Sequence, residues 1–393
     1  MNPMILVAYM TFAFQGITFP LGNSMIIEIA GKYAVDTSII GYLLSLSSVG
    51  GGIATLCGGY LLERYPAHKL LYAAIAFSVL SVVCITSSAL LAQFALGMVF
   101  FGLGTWLLVV IGNYLIVRQY AGAKRSSQLN IANFFFSGGA LFTPALCGYG
   151  LQAGVSWEYI FWLPFSLLLA LTGLVGLTFS PMAGSEQRGG EQIKQQQEVT
   201  AGHWGYKVYL AAIALSFYCI LEVGYTAWIV VHLREGLGLD IFAASMVLTT
   251  FYIFHAAGRV ISGIVVKFLP LDRYILCCAT IGLIAVSLIV CTSNYSLIVI
   301  LTAVLAFGIA GLYPSIMSYG TLQMKNPSSR IITFFMSSGL VGAITGLLLT
   351  SHLKQAFGAT ASLATGAVAA GFIIICMVMT MWKRRKTSSI CHC

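Results

Sequence analysis

The chain alternates long apolar segments with short polar ones. Segments of the length needed to cross a bilayer, about 20 residues, occur twelve times. They fall at about 4–29, 38–62, 69–91, 94–118, 129–150, 158–180, 208–232, 242–267, 274–293, 296–322, 331–353 and 360–382. The pattern predicts an all-α membrane protein with twelve transmembrane helices in two groups of six.

The composition supports this interpretation. Charged residues make up 8% of the 393 residues and hydrophobic residues 59%, against about 25% and 45–50% in soluble domains. A net charge of +9 would suggest a nucleic-acid partner in a soluble protein, but membrane topology explains it better here, so no nucleic acid is expected.

No cofactor or metal site is expected either. The ten cysteines lie scattered, mostly in apolar segments and without a CxxC spacing, which is typical of small buried side chains rather than of disulfides. The terminal Cys391, His392 and Cys393 offer three metal ligands with nothing to complete a site. The chain has no nucleotide-binding loop and no motif of a nucleophilic or metal-dependent enzyme.

The basic residues indicate the orientation. With the N-terminus inside, 16 of the 20 Lys and Arg residues fall on cytoplasmic segments, while Lys32, Arg234 and Lys354 fall outside and Arg259 lies within a span. Basic residues concentrate on the cytoplasmic side of membrane proteins. We therefore expect an integral protein of the inner membrane, in contact with the lipid bilayer, monomeric and with both termini cytoplasmic.

The two halves repeat each other at an offset of about 200 residues. GGYLLERYPAHK at 58–69 matches SGIVVKFLPLDR at 262–273, and NFFFSGG at 133–139 matches TFFMSSG at 333–339. The predicted organisation is a six-helix half (1–180), a Gln- and Glu-rich cytoplasmic linker (181–207), a second six-helix half (208–386) and a tail (387–393). Parallel six-helix repeats place a transporter's substrate site near the middle of the membrane.

These motifs resemble those of the major facilitator superfamily. Residues 59–64, followed by Lys69, are similar to its loop 2–3 signature, Gly-x-Leu-x-Asp-Arg, with Glu63 in place of Asp; Gly258, Arg259 and Gly263 resemble the second-half echo. FAFQGITFPLGN, LNIANFFFSGGALFTP, LEVGYTAWIV and GIAGLYPSIMSYG resemble the fucose–galactose–proton symporter branch. Within that branch, WGYKVYL, GLGL and KFLPLDRYIL are most similar to proteins of the TsgA type.

The chain departs from that branch at two helices. Symporters of the fucose type carry acidic residues in helices 1 and 4, where the interior positions here are Gln15 and Asn113. Helix 4 also lacks the buried Arg of proton-driven drug antiporters, and helix 5 has Thr143-Pro144 instead of their Gly-Pro. The resemblance therefore implies a transporter without fixing its substrate.

Glu222 is the residue on which the functional hypothesis depends. It lies in the middle of an apolar segment, 209–232, where a carboxylate is costly and marks a binding site, a proton site or a bonded structural carboxyl. His255 is expected at a similar depth and would form a proton-accepting pair with Glu222, or would instead bond a backbone carbonyl. Arg259 is expected nearer the cytoplasm.

Further interior residues are candidates for substrate contact or for helix packing. Amides and phenols suit a small, polar, sugar-like solute, and indoles stack on its apolar face. The candidate substrate-binding residues are Gln15, Asn23, Trp106, Asn113, Asn130, Asn133, Glu222, Tyr225, Trp228, Tyr252, Tyr313 and Tyr319.

The loop signature and its echo predict a cytoplasmic gate, although a basic loop that only sets topology is the alternative. Gly residues let helices approach closely, and the charged residues form contacts that break as the halves rock. The candidate gate residues are Gly59, Glu63, Arg64, Lys69, Arg259 and Gly263.

The sequence therefore predicts a secondary transporter that moves a small polar solute inward with a proton. A proton antiporter that exports drugs or metabolites is the first alternative. A non-transporting membrane sensor is the second, although the linker is too short to hold a large signalling domain.

Overall fold

The computed structural model describes residues 3–120, 122–179, 204–266, 268–324 and 329–388. Some side chains in these helices lie outside the described residues, including those of 122–127, 130 and 382–388. The predicted tail 387–393, most of the linker 181–207 and the Cys391-His392-Cys393 cluster also fall largely or wholly outside them.

Helices make up almost all of the described chain, and these residues form no strand. In order they are α1 Pro3–Thr18, α2 Leu21–Ser24, α3 Ile26–Tyr33, α4 Thr37–Arg64, α5 Ala67–Thr86, α6 Leu91–Gln119, α7 Gly122–Gln152, α8 Trp157–Trp162 and α9 Ser166–Phe179, then α10 Tyr206–Val231, α11 Ile241–Val265, α12 Leu271–Cys291, α13 Tyr295–Ile309, α14 Leu312–Thr321, α15 Ser329–Phe357 and α16 Ala359–Ser388. Among the described residues, 12 helical stretches are long and apolar enough to cross a membrane. The predicted fold class is confirmed.

Several spans are built from two helices because the sequence interrupts them. Pro20 stands at the break between α1 and α2, and Pro164 lies in the short 3-10 turn Leu163–Phe165 between α8 and α9. Gly311 separates α13 from α14. A π turn, His232–Gly236, extends α10. Broken spans are tolerated in membranes where neighbouring helices satisfy the freed backbone groups.

The structure divides into two compact units. The first takes Met1–Lys194 with Leu239–Thr249, and the second Gln195–Gly238 with Thr250–Cys393. In the first unit, α6 packs on α4, α5 and α1, while α1 packs on α7. In the second, α10 packs on α14, α15 and α16, and α12 packs on α13 and α16.

Glycines set how closely the central helices approach. A Cβ on Gly102 of α6 would lie 1.9 Å from the carbonyl oxygen of Ser47, and one on Gly104 would lie 2.4 Å from the Ser78 hydroxyl oxygen. In the second unit, a Cβ on Gly342 would lie 2.2 Å from the carbonyl oxygen of Ser216. Small residues of this kind allow the backbone contact that drives helix association in lipid.

Candidate functional site

Glu222 lies near the midpoint of its span. The span runs over Tyr206–Gly236, so about as many residues precede Glu222 as follow it. The side chain is 18% exposed, and no other Asp or Glu occurs in the middle of a span in the sequence. The acidic group is thus placed where membrane transporters bind substrates and coupling ions.

His255 of α11 and Tyr218 of α10 meet Glu222. The Nε2 atom of His255 lies 3.6 Å from Oε1 of Glu222 and 3.4 Å from the hydroxyl oxygen of Tyr218. Tyr218 also acts on Glu222 as a hydrogen-bonding group. The separation of 3.6 Å exceeds that of an ordinary hydrogen bond, so the carboxylate and imidazole form a loose pair that a small movement would tighten or break.

An aromatic stack holds the His255 ring. Phe251 lies one helical turn before it, with ring centroids 5.4 Å apart and planes 15° apart. Phe251 also stacks on Tyr225, with centroids 5.3 Å apart. Phe251 is not among the site residues predicted from the sequence, although its four-residue spacing to His255 places both on one helix face.

Charged and phenolic groups surround the pair. Arg259 acts electrostatically on both Glu222 and His255, yet it forms no salt bridge with Glu222 among the described side chains. Glu222 acts electrostatically on Tyr252 and Tyr313 as well. The cluster therefore combines one carboxylate, one guanidinium and one titratable ring in a setting of low polarity.

Three candidate substrate residues of the second unit are deeply packed. The hydroxyl of Tyr225 lies 2.5 Å from that of Thr302, and the indole nitrogen of Trp228 donates to the Thr350 hydroxyl oxygen at 2.8 Å. Both residues and Tyr319 are buried. In this conformation Tyr225 and Trp228 join helices through hydrogen bonds, while Tyr313 is half-buried, with its ring 6.0 Å from that of Tyr218.

The first unit contributes uncharged candidates. Gln15 is buried, and its side-chain oxygen has no hydrogen-bond partner among the described residues. Asn23, Trp106 and Asn113 are half-buried, and the Trp106 indole lies against Gly51, where a Cβ would come within 2.4 Å of it. Asn133 is exposed and bonds the Leu129 carbonyl of its own helix at 2.9 Å. The side chain of Asn130 lies outside the described residues.

Five of the six candidate gate residues lie at exposed positions, whereas Arg259 is half-buried. Glu63, Arg64 and Lys69 are exposed, and the Arg64 guanidinium lies 4.4 Å from the centroid of the Tyr60 ring. A Cβ added at Gly59 or at Gly263 meets nothing within 4 Å. The close approach expected of these two glycines is thus not made in this conformation.

The neighbouring glycines make the close approaches instead. A Cβ on Gly58 would lie 2.8 Å from a methyl carbon of Val110, and one on Gly258 would lie 2.6 Å from the carbonyl oxygen of Phe307. The sequence pattern could not separate Gly58 from Gly59, because the side of the helix that meets α6 depends on the packing.

The arrangement is suited to exchanging a proton. The imidazole lies 3.6 Å from the carboxylate and 3.4 Å from the phenol, and groups of these types can share and release a proton when a small movement brings them closer. The described residues contain no group of three His, Cys, Asp or Glu side chains that could hold a metal ion.

Comparison with known proteins fixes the family. The family model described as Major Facilitator Superfamily matches residues 3–244 and 210–390. The chain belongs to the major facilitator superfamily. Two solved members of this fold have a TM-score of 0.76 to it. One is a POT family transporter in complex with 5-aminolevulinic acid, at 12% identity, covering 95% of each chain. The other is a peptide transporter POT in complex with sulfate, at 10% identity, covering 98% of this chain and 95% of that one.

The curated relatives include proteins named TsgA homolog. The homologue of Serratia proteamaculans (strain 568) is 23% identical over 389 residues, which cover 98% of this chain and 97% of the relative. That of Yersinia pseudotuberculosis serotype O:1b (strain IP 31758) is 22% identical over 391 residues, with the same coverage. The predicted resemblance to the superfamily and to TsgA-type proteins is confirmed. This major facilitator is a secondary transporter embedded in a membrane, and not an enzyme.

Proposed function

We propose that this transporter moves a small polar solute inward together with a proton, and that Glu222 carries the proton. The observation that carries the proposal is the pairing of Glu222 with His255, 3.6 Å apart, near the midpoint of the spans. A group that couples transport to a proton must be reachable by water or substrate and must change charge during the cycle. Glu222 meets the first condition because 18% of its side chain is exposed.

Protonation of Glu222 would change the balance of the whole cluster. The Glu222 carboxylate interacts electrostatically with Arg259 and lies beside Tyr218. Once protonated, it no longer attracts Arg259 or a protonated His255, and it becomes a hydrogen-bond donor. Arg259 keeps its positive charge when Glu222 is protonated, so proton uptake leaves the guanidinium without the opposite charge beside it. Proton uptake would thereby release the contacts that Glu222 makes in this conformation and favour a rearrangement of the cluster.

The remaining candidates suit an uncharged, hydroxylated solute. The buried Gln15 oxygen lacks a partner among the described residues, so a ligand hydroxyl would satisfy it. Asn23, Asn113 and Tyr313 are half-buried and would add directional hydrogen bonds. Because they are buried among helices, we propose that Tyr225, Trp228 and Tyr319 shape the site without contacting the solute directly.

We further propose an inner-membrane location with both termini in the cytoplasm, a monomeric state and a cytoplasmic gate. The gate would comprise Gly59, Glu63, Arg64 and Lys69 with Arg259 and Gly263. The excess of basic residues on alternate loops supports this orientation.

The Glu222→Gln variant tests the coupling role. Gln keeps the shape of the protonated acid but cannot release a proton. Reconstituted into liposomes and screened with radiolabelled sugars and small polar metabolites, the variant should exchange a transported solute at equal concentrations. It should lose accumulation driven by a pH gradient.

The Glu158→Gln variant is the matched control, because Glu158 pairs with Lys32 outside the candidate site at 3.3 Å. It should keep gradient-driven accumulation. If folded Glu222→Gln protein accumulates solute like the wild type, Glu222 does not carry the proton. If exchange is lost together with accumulation, Glu222 binds the substrate instead.

A further inference from the structure

Helix α11 carries three buried hydroxyls that lack ordinary hydrogen bonds. The side-chain oxygens of Ser245, Thr249 and Tyr252 have no partner of normal geometry among the described residues. Ser245 is fully buried, Thr249 is 4% exposed and Tyr252 is 6% exposed. Thr226 lies close enough to act on the Tyr252 hydroxyl, but no bond of normal geometry forms between them.

These residues differ from most other hydroxyl residues of the spans. Ser and Thr side chains elsewhere bond a carbonyl three or four residues earlier in their own helix, as Thr105 does to Phe101 at 2.7 Å and Thr350 to Gly346 at 2.7 Å. Ser245 and Thr249 leave that bond unmade. A buried hydroxyl without a partner is unfavourable, so a ligand that is small enough to enter a buried site is expected beside each.

The spacing of the three residues defines a track along the helix. They follow one another at four and three residues, which places them on one face of α11. This unbroken helix rises about 1.5 Å per residue, so adjacent positions lie about 4.5–6 Å apart along its axis. Two hydrogen bonds of about 2.8 Å match that axial spacing, so one water could bridge Ser245 and Thr249, and the longer side chain of Tyr252 could reach the next water.

The track ends at the candidate proton site. His255 follows Tyr252 by three residues and pairs with Glu222, and Tyr252 itself interacts electrostatically with Glu222. The other titratable and charged groups at that end include Tyr218, Cys219, Arg259 and Tyr313. The opposite end of the track, Ser245, lies one turn inside the beginning of α11 at Ile241.

We propose that Ser245, Thr249 and Tyr252 hold a chain of water molecules that conducts the coupled proton along α11 to Glu222 and His255. Hydroxyls both donate and accept hydrogen bonds, so alternating hydroxyl and water oxygens can pass a proton without net movement of heavy atoms. One proton binds the oxygen at the Ser245 end, each oxygen passes a proton to the next, and another proton leaves the Tyr252 end for the Glu222 carboxylate or the His255 ring, so charge and atoms balance. The water chain stands on geometry alone, whereas its proton-carrying role rests on the proposed function.

Hydroxyl-radical footprinting of the purified full-length protein, without added solute, tests for the water. Radicals generated in bound water modify adjacent tyrosines. Tyr252 should be modified several-fold faster than Tyr225, which is similarly buried but bonded to Thr302. Thr249→Val should slow the modification of Tyr252, while Thr250→Val, about 100° away around the same helix, should not. Equal rates for Tyr252 and Tyr225 in the wild type would show that the track is dry and overturn the proposal.

Transport assays test the proton role separately. A Ser245→Ala and Thr249→Val double variant should slow gradient-driven accumulation several-fold and leave exchange at equal concentrations unchanged. Unchanged accumulation, or an equal loss of exchange, would overturn proton conduction by the track. The two proposals can fail separately. If Glu222→Gln accumulates solute like the wild type while Tyr252 is still modified quickly, Glu222 does not couple the proton but the water chain is present.

Discussion

Two tyrosines of α10 show how the partner of a side chain decides its role. Tyr218 and Tyr225 are both buried, but the Tyr218 hydroxyl faces His255 and Glu222, whereas the Tyr225 hydroxyl bonds Thr302. We expect Tyr218→Phe to reduce gradient-driven accumulation several-fold and to preserve thermal stability. The reason is that it removes a hydrogen bond only from the proposed proton site.

The Tyr225→Phe variant is the control for this prediction. It leaves the Thr302 hydroxyl without its partner and should destabilise the protein by about 1 kcal/mol, while reducing accumulation per folded molecule less than Tyr218→Phe does. Thermal unfolding in detergent and proteoliposome uptake measure the two effects. A stability loss in Tyr218→Phe without a transport defect would assign Tyr218 to packing.

The sequence predicted Glu222 and His255 because ionisable residues are rare in spans and because their depth can be counted along a helix. It could not predict that Trp228 and Tyr225 would bond Thr350 and Thr302. Those bonds depend on the rotation and pairing of helices far apart in sequence. The isolated hydroxyls of Ser245 and Thr249 were missed for the same reason, since Ser and Thr usually bond their own helix.

At the scale of helices, hydrophobic segments of spanning length predicted all twelve spans, because a bilayer fixes the length of an apolar helix. The breaks within spans were not predicted. Pro20 ends α1 after Thr18, yet Pro144 lies inside α7, so proline alone does not decide where a helix is interrupted. Whether a freed backbone group finds another partner depends on neighbouring helices.

Helix α4 offers a test of the cytoplasmic gate. Because a Cβ at Gly59 meets nothing within 4 Å, we expect Gly59→Leu to fold and express normally in the conformation described. If α4 must close against another helix during the cycle, the leucine will obstruct that closure and slow turnover. Solute exchange in proteoliposomes measures the turnover, and size-exclusion chromatography confirms the fold.

The adjacent glycine provides the matched control. Leucine at position 58 would collide with Val110, because a Cβ there already lies 2.8 Å from one of its methyl carbons, and Gly58→Leu should therefore lower the yield of folded protein. Gly263→Leu, at the corresponding position in α11 of the second half, should behave like Gly59→Leu. Normal turnover in both Gly59→Leu and Gly263→Leu would show that the loop signature serves topology alone.

For the whole molecule, the two sequence repeats and the two compact units are different divisions of the chain. One unit boundary falls inside α11, whose residues up to Thr249 group with the first unit. Sequence similarity between halves reports their shared ancestry and fold, whereas a compact unit reports which residues pack together. The predicted boundaries at 180 and 208 therefore describe where the sequence repeats end and begin, and they do not describe which residues pack together.

The orientation of the molecule can be measured at two exposed positions. Ala356 lies near the end of α15, and Tyr65 lies between α4 and α5; both are exposed, so labelling depends on the side of the membrane and not on burial. In a background without the exposed Cys57, Cys277 and Cys291 and without Cys391 and Cys393 of the tail, an impermeant maleimide should label Ala356→Cys on intact cells. It should label Tyr65→Cys only after permeabilisation, because the loop at 64–69 carries two basic residues that retain it inside. The reverse pattern would invert the topology and place the proposed gate outside.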